Sequence, residues 1–347
     1  MKYSVIIPVY NRPDEVDELL ASLSKQTEHD FEVIVVEDGS DHPCEEVCGK
    51  YTGELDLHYH VKKNSGPGQS RNYGAEKSKG EYLIILDSDV VLPPDYMACV
   101  NKELAQHPCD AFGGPDRAHE SFTDTQKAIS YSMTSFLTTG GIRGGKRKLD
   151  KFYPRSFNMG IRRDVYKQLG GFSKMRFGED IDFSTRIFKG GYTCRLFPTA
   201  WVWHKRRTDF RKFFRQVFNS GIARINLSKR HPGTLKLVHL LPAIFTISVI
   251  TLVLVSAVGR ALMHYDPDHF HRWYLVCALP WIPILLFSLV ILIDSTIRNK
   301  SLKVGLLSVP SSFIQLTGYG SGFLAAWWKR CVRGKDEFQA FEKTFYQ

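Results

Sequence analysis

The sequence predicts an α/β domain over residues 1–205, followed by apolar helices able to cross a membrane. Apolar runs of strand length alternate with helical stretches. The strands end in polar, chemically capable groups. Two uncharged runs of membrane-spanning length come later in the chain.

The elements follow in order. Tyr3-Ser4-Val5-Ile6-Ile7-Pro8 is an apolar strand that Pro8 closes. Asn11-Arg12-Pro13-Asp14 opens a helix with proline and acid in its first turn, and Val16, Leu19, Leu20 and Leu23 share one face. Residues 31–36 form a second strand, which runs into Glu37-Asp38-Gly39-Ser40-Asp41. Residues 55–61 give a weaker third strand. Residues 66–78 read as a helix opened by Gly66-Pro67-Gly68-Gln69-Ser70-Arg71-Asn72. The run Tyr82-Leu83-Ile84-Ile85-Leu86 is a buried strand ending in Asp87-Ser88-Asp89. This alternation predicts a parallel sheet with helices on its faces.

Ligands of open α/β sheets bind beyond the carboxyl ends of the strands. Asp87 and Asp89 are poorly placed there for packing and well placed to hold a hard divalent cation, Mn²⁺ or Mg²⁺, although Asp and Ser are also common turn residues. Tyr10-Asn11-Arg12 and Glu37-Asp38 would join them on one rim, an arrangement that suits a nucleotide and a metal. Arg71, at a glycine-rich helix start, could reach a phosphate or be a solvated helix residue.

Residues 96–106 suggest a helix, and Phe112-Gly113-Gly114 a strand and turn. The glycine-rich basic stretch 140–148 reads either as a surface loop or as a lid over an anionic substrate. Residues 157–164 precede a helix that ends at Gly170-Gly171. Glu179, Asp180 and Asp182 then cluster where a loop meets a helix. Capping and dipole compensation account for one acid there, and a second could serve as a general base.

The net charge of +10 is local. Residues 1–203 hold 26 Lys/Arg against 29 Asp/Glu, residues 204–236 ten against one, and residues 237–347 ten against six. The basic block abuts an uncharged run at 237–259, about 34 Å long as a helix, and a second run covers 273–293. This favours a membrane surface over nucleic acid as the partner of the block. Within residues 206–236, Phe210, Phe213, Phe214, Val217 and Phe218 form an apolar helical stripe among basic residues, suited to a membrane interface or to packing on the domain. Residues 302–328, interrupted by Pro310, Gly318, Gly320 and Gly322, read as a re-entrant or interfacial segment, with a third span as the alternative. Residues 329–347 would be a cytoplasmic tail. Seven scattered cysteines without a CxxC pair fit a reducing compartment, and the first residues carry no signal-peptide pattern.

Five motifs in order, Val5-Ile6-Ile7-Pro8-Val9-Tyr10-Asn11, Val35-Val36-Glu37-Asp38-Gly39-Ser40, Asp87-Ser88-Asp89, Asn158-Met159-Gly160-Ile161-Arg162-Arg163 and Gly178-Glu179-Asp180, resemble family 2 glycosyltransferases of the membrane-anchored bacterial type. The resemblance covers residues 1–205. It implies a GT-A fold with a Rossmann-like mixed sheet, a nucleotide-diphosphate sugar donor (UDP most commonly), a divalent metal and inversion at the anomeric carbon. It also implies that Pro8, Tyr10, Arg12, Glu37, Asp38, Arg71, Asp87 and Ser88 surround the donor and that Asp89 ligates the metal, with His204 a further ligand. Asp180, with Glu179, would be the base, and Asn158, Met159 and Gly160 would lie toward the acceptor. Glu37 stands where Asp is usual. The QxxRW motif of processive synthases is absent, which points to single-sugar transfer. The expected acceptor is a hydroxyl of a lipid-linked glycan at the inner membrane, with the catalytic domain in the cytoplasm. A lipid-phosphate acceptor and a non-catalytic nucleotide-sugar scaffold are the competing readings.

Overall fold

The computed structural model describes residues 1–119, 121–140, 152–175, 177–265, 267–338 and 340. Most of the glycine-rich basic stretch 140–148 lies outside the described residues. The chain divides into two compact units. The first comprises Met1–Ser121 and Ile142–Lys205, and the second Phe122–Gly141 and Arg206–Gln347.

The first unit begins with β1 (Tyr3–Val9), α1 (Pro13–Ser24), β2 (Phe31–Glu37), α2 (Glu45–Gly49), β3 (Leu57–Val61), α3 (Pro67–Lys77) and β4 (Tyr82–Leu86). Next are β5 (Val90–Val91), α4 (Tyr96–Gln106), β6 (Ala111–Gly113) and β7 (Asp116–Arg117). In chain order α5 (Asp124–Thr134) and α6 (Phe136–Thr139) of the second unit intervene. The first unit then resumes with β8 (Asn158–Arg162), α7 (Arg163–Gln168), α8 (Glu179–Lys189), β9 (Cys194–Leu196) and β10 (Val202–His204).

The main sheet has the order β3-β2-β1-β4-β8-β6-β9. β1 to β4 are mutually parallel, as the alternation predicts. β8 runs antiparallel between β4 and β6, which makes the sheet mixed. The inner strands are apolar on both faces because helices cover both: Val5, Ile7, Val33 and Ile84 face one core cluster, and Ile6, Leu83, Ile85 and Ile161 the other. β10 pairs with β5 and β7 in a small second sheet.

The second unit adds α9 (Phe210–Arg230), α10 (Leu241–Tyr265), α11 (Phe270–Ala278), α12 (Ile282–Asn299) and α13 (Leu302–Trp327). Among the described residues two stretches are long and apolar enough to cross a bilayer, Leu237–Tyr265 and Phe270–Asn299. Their apolar side chains point outward, with Leu254 60% and Leu285 65% exposed.

Two expectations change here. The α9 stripe is spent inside the unit, since Phe213 and Val217 are buried with Ile129 and Met133 of α5. Residues 302–327 form one unbroken helix, which does not double back as a re-entrant segment would. Glycines of this helix and of α9 are sites of close approach: a Cβ on Gly322 would meet the Phe218 carbonyl oxygen at 1.9 Å, and one on Gly221 of α9 the Tyr319 carbonyl oxygen at 2.1 Å. The small residues let α9 and α13 pack backbone against backbone.

Candidate active site

The site is assembled within the first unit, where the carboxyl ends of β1, β2 and β4 lie on one rim. β4 ends in Asp87, Ser88 and Asp89. Asp89 Oδ2 accepts a hydrogen bond from Arg12 Nη1 at 2.7 Å, and its Oδ1 lies 3.2 Å from His204 Nε2. β10 supplies that histidine by pairing with β5, which places His204 opposite Val90. Phe157 stacks on the imidazole with ring centroids 4.8 Å apart, and Asp116 Oδ2 is 3.8 Å from its Nδ1.

Arg71 is the joint of the site. It is 3% exposed on α3, donates from Nη2 to Asp87 Oδ1 at 2.7 Å, and donates from Nη1 to Glu179 Oε1 at 3.1 Å. Burial works against the guanidinium charge, but the Asp87 and Glu179 carboxylates outweigh it and raise its proton affinity. Burial pushes the Glu179 carboxyl up to about 7, with Arg71 opposing and Asp180 adding. Glu179 and Asp180 open α8, whose amino-terminal dipole favours acids. Asp180 Oδ2 accepts from Arg155 Nη1 at 3.0 Å. Asp182 faces elsewhere and binds Ser173 and Arg186.

Ligand atoms of Asp87, Asp89 and His204 all lie within 4.8 Å of one another. Two carboxylates and an imidazole fit a divalent transition ion, and the nitrogen suits Mn²⁺ better than Mg²⁺, which prefers oxygen.

The other sequence-predicted residues divide. Pro8 sits in β1 opposite Val36, Ser88 is buried between the two acids, and Tyr10 follows β1 on the rim. Asp38 shapes the chain leading into α3. It accepts from the Ser65 and Gly66 backbone at 2.9 and 2.8 Å and pairs with Lys62. Glu37 departs from the donor-binding expectation. It is buried and turned inward, accepting from Ser40 Oγ, the Cys44 backbone at 2.8 Å and Tyr59 at 3.2 Å, so it anchors the loop after β2.

Asn158, Met159 and Gly160 likewise do not form an acceptor surface. Asn158 bonds Tyr96 and the Ala200 carbonyl, Met159 is core, and a Cβ on Gly160 would strike the Phe112 ring at 2.0 Å. Asp116, Arg155 and Phe157 are site residues that sequence reasoning missed. None of them belongs to a local motif.

The mixed sheet with an acid pair at the end of a central strand has the GT-A type of fold. The Glycosyl transferase family 2 profile matches residues 4–170, just under half of the chain, and that segment is similar to a family 2 glycosyltransferase domain. A Haemophilus influenzae protein described as an uncharacterized glycosyltransferase is 29% identical over 54% of this chain and 62% of its own length. The pre-mycofactocin glycosyltransferase of Mycobacterium tuberculosis is 30% identical over 66% of this chain and 48% of its own. The chain therefore spans less than two thirds of these relatives. The mannosyltransferase PcManGT of Pyrobaculum calidifontis, solved with GDP-Man and Mn²⁺, shares the fold at TM-score 0.57 and 18% identity, over 80% of this chain and 86% of that one.

Proposed function

We propose that this protein is an inverting glycosyltransferase that moves a single sugar from a nucleotide-diphosphate sugar to a hydroxyl acceptor. The observation that carries the reading is the Arg71 bridge. One buried cation joins the carboxylate pair suited to a metal and diphosphate to the Glu179-Asp180 pair suited to acid–base work. Asp87, Asp89 and His204 would hold a divalent cation, Mn²⁺ or Mg²⁺, whose charge would offset that of the leaving diphosphate.

The residues of the chain supply the rest. Arg12 and Arg71 bring positive charge to the rim that faces the diphosphate. Asp180, oriented by Arg155, takes the proton of the acceptor hydroxyl as that oxygen bonds to the anomeric carbon. The bond from that carbon to the diphosphate breaks on the opposite face, and the nucleoside diphosphate leaves with the electron pair. The in-line displacement uses no enzyme nucleophile.

The exposed apolar helices support membrane attachment, and the basic block of residues 204–236 beside the first of them supports a cytoplasmic catalytic domain. A lipid-linked glycan is the acceptor class that fits an anchored enzyme. UDP is the donor base to try first.

The test is nucleotide release by detergent-purified full chain from a panel of sugar nucleotides, with Mn²⁺, Mg²⁺ or chelator. Release from one donor that requires metal and disappears in Asp180→Asn is expected. Full activity of Asp180→Asn would remove the assigned base. A protein that binds no sugar nucleotide with any metal would overturn the transferase reading, and one that binds a donor without ever releasing its nucleotide would leave the scaffold.

A further inference from the structure

A second cluster of metal-type ligands lies at the other end of the same sheet. Glu32 stands at the start of β2 and His58 in β3, with Asp56 just before it. β2 and β3 are parallel with Val33 opposite Leu57, so Glu32 and Asp56 come opposite each other one step back. Asp56 and His58, two residues apart on extended chain, point to the same face as Glu32. The six residues from Glu32 to Glu37 put this cluster roughly 17 Å from the carboxyl rim.

Glu32 is fully buried. Its Oε1 accepts from Ser4 Oγ at 2.6 Å and from the Lys79 backbone at 2.7 Å. Its Oε2 is buried without a hydrogen-bond partner and is aimed at His58, whose Nε2 is 3.6 Å away and itself lacks one. The same Nε2 lies 3.2 Å from Asp56 Oδ1. A buried carboxylate oxygen left without a donor is costly, and a cation between Glu32, Asp56 and His58 (a protonated His58 or a bound ion) would satisfy it.

Tetrahedral zinc with ligands at 2.0–2.2 Å separates neighbouring donors by about 3.3–3.6 Å, and the two distances found here bracket that range. The geometry points to a second divalent-cation site at Glu32, Asp56 and His58, of the zinc type, separate from the Asp87-Asp89-His204 cluster. Three protein ligands leave a fourth position for water on the open side, where His58 and Asp56 are 38% and 49% exposed. Because Glu32 also holds Ser4 and the turn after α3, an ion here ties β1, β2, β3 and that turn together. Mg²⁺, which prefers an all-oxygen shell, is a poor occupant.

The test uses untagged full chain in detergent, carrying Asp89→Ala to disable the rim cluster, stripped with chelator and titrated with Zn²⁺ alone by equilibrium dialysis. We expect stoichiometric binding at micromolar Zn²⁺ and a raised unfolding temperature. His58→Gln and Asp56→Asn should each weaken binding about tenfold or more, since even outer-shell losses cost that much. Both positions are partly exposed, so their unfolding temperatures in chelator should match the parent and show that the fold is kept. Zinc affinity unchanged in both variants would assign the ion to cysteines or other groups and overturn the site, as would the absence of stoichiometric binding in the parent.

Discussion

Arg71 Nη2 lies 2.7 Å from Asp87 Oδ1, inside a site where the guanidinium is 3% exposed. A buried cation held between two carboxylates is costly to remove, because both carboxylates lose the charge that compensates them. Arg71→Ala should therefore destabilise the protein by about 3–5 kcal/mol as well as abolish donor binding. Arg71→Lys should restore part of the stability but little binding, since an ammonium cannot bridge both acids as a planar fork does. Thermal unfolding and donor calorimetry on the two variants check this. Wild-type stability in Arg71→Ala would mean that the bridge carries no weight.

Glu179 makes stability depend on pH in a stated direction. Burial raises its carboxyl to about 7 in the folded chain, against 4.5 as the ordinary value. Between these values the unfolded chain releases the proton first, so rising pH favours unfolding. Glu179 thus contributes stability that is complete below about pH 4.5 and lost as pH climbs through about 7, worth at most about 3 kcal/mol. Glu179→Gln should flatten the unfolding-temperature profile between pH 5 and 8. A parallel profile in the variant would assign the dependence to other groups.

His204 separates two kinds of metal preference. If its Nε2 completes the ligand set with Asp87 and Asp89, His204→Ala should weaken Mn²⁺ binding about tenfold or more and narrow the preference for Mn²⁺ over Mg²⁺. Asp116→Asn, which removes a carboxylate charge beside Nδ1, should produce a smaller loss in the same direction. Mn²⁺ affinity unaffected by His204→Ala would leave the two aspartates as the whole set.

The rim was legible in the sequence because parallel strands deliver their carboxyl ends to one edge, and Glu37-Asp38 and Asp87-Ser88-Asp89 each close an apolar run. Glu179 and Asp180 were legible because three acids exceed what a helix start needs. Asp116, Arg155 and Phe157 reach the site only by tertiary approach, so no local spacing announces them. The Asn158-Met159-Gly160 stretch misled for the opposite reason. Its pattern is specific, but an inner antiparallel strand spends it on packing, with Gly160 giving room to Phe112. In the second unit, glycines that look like helix breaks in a linear reading are contact points once α9 lies against α13.

That contact gives the last prediction. A Cβ on Gly322 would come within 1.9 Å of the Phe218 carbonyl oxygen, and the neighbouring Phe218 Cα lies at 3.1 Å. Backbone atoms cannot swing aside as a side-chain tip can, so Gly322→Ala must push the two helices apart. The separation would loosen Ile222, Ile225, Phe323 and Ala326, which form one buried cluster with Ala243 of α10. Overpacking of this kind costs typically 1–3 kcal/mol and more where the backbone must move. Gly334→Ala is a useful control at a glycine with nothing within 4 Å, although its φ of +62° adds local strain. Unfolding of the full chain in detergent should show Gly322→Ala well below the control. Equal stabilities would mean that α9 and α13 do not meet backbone to backbone.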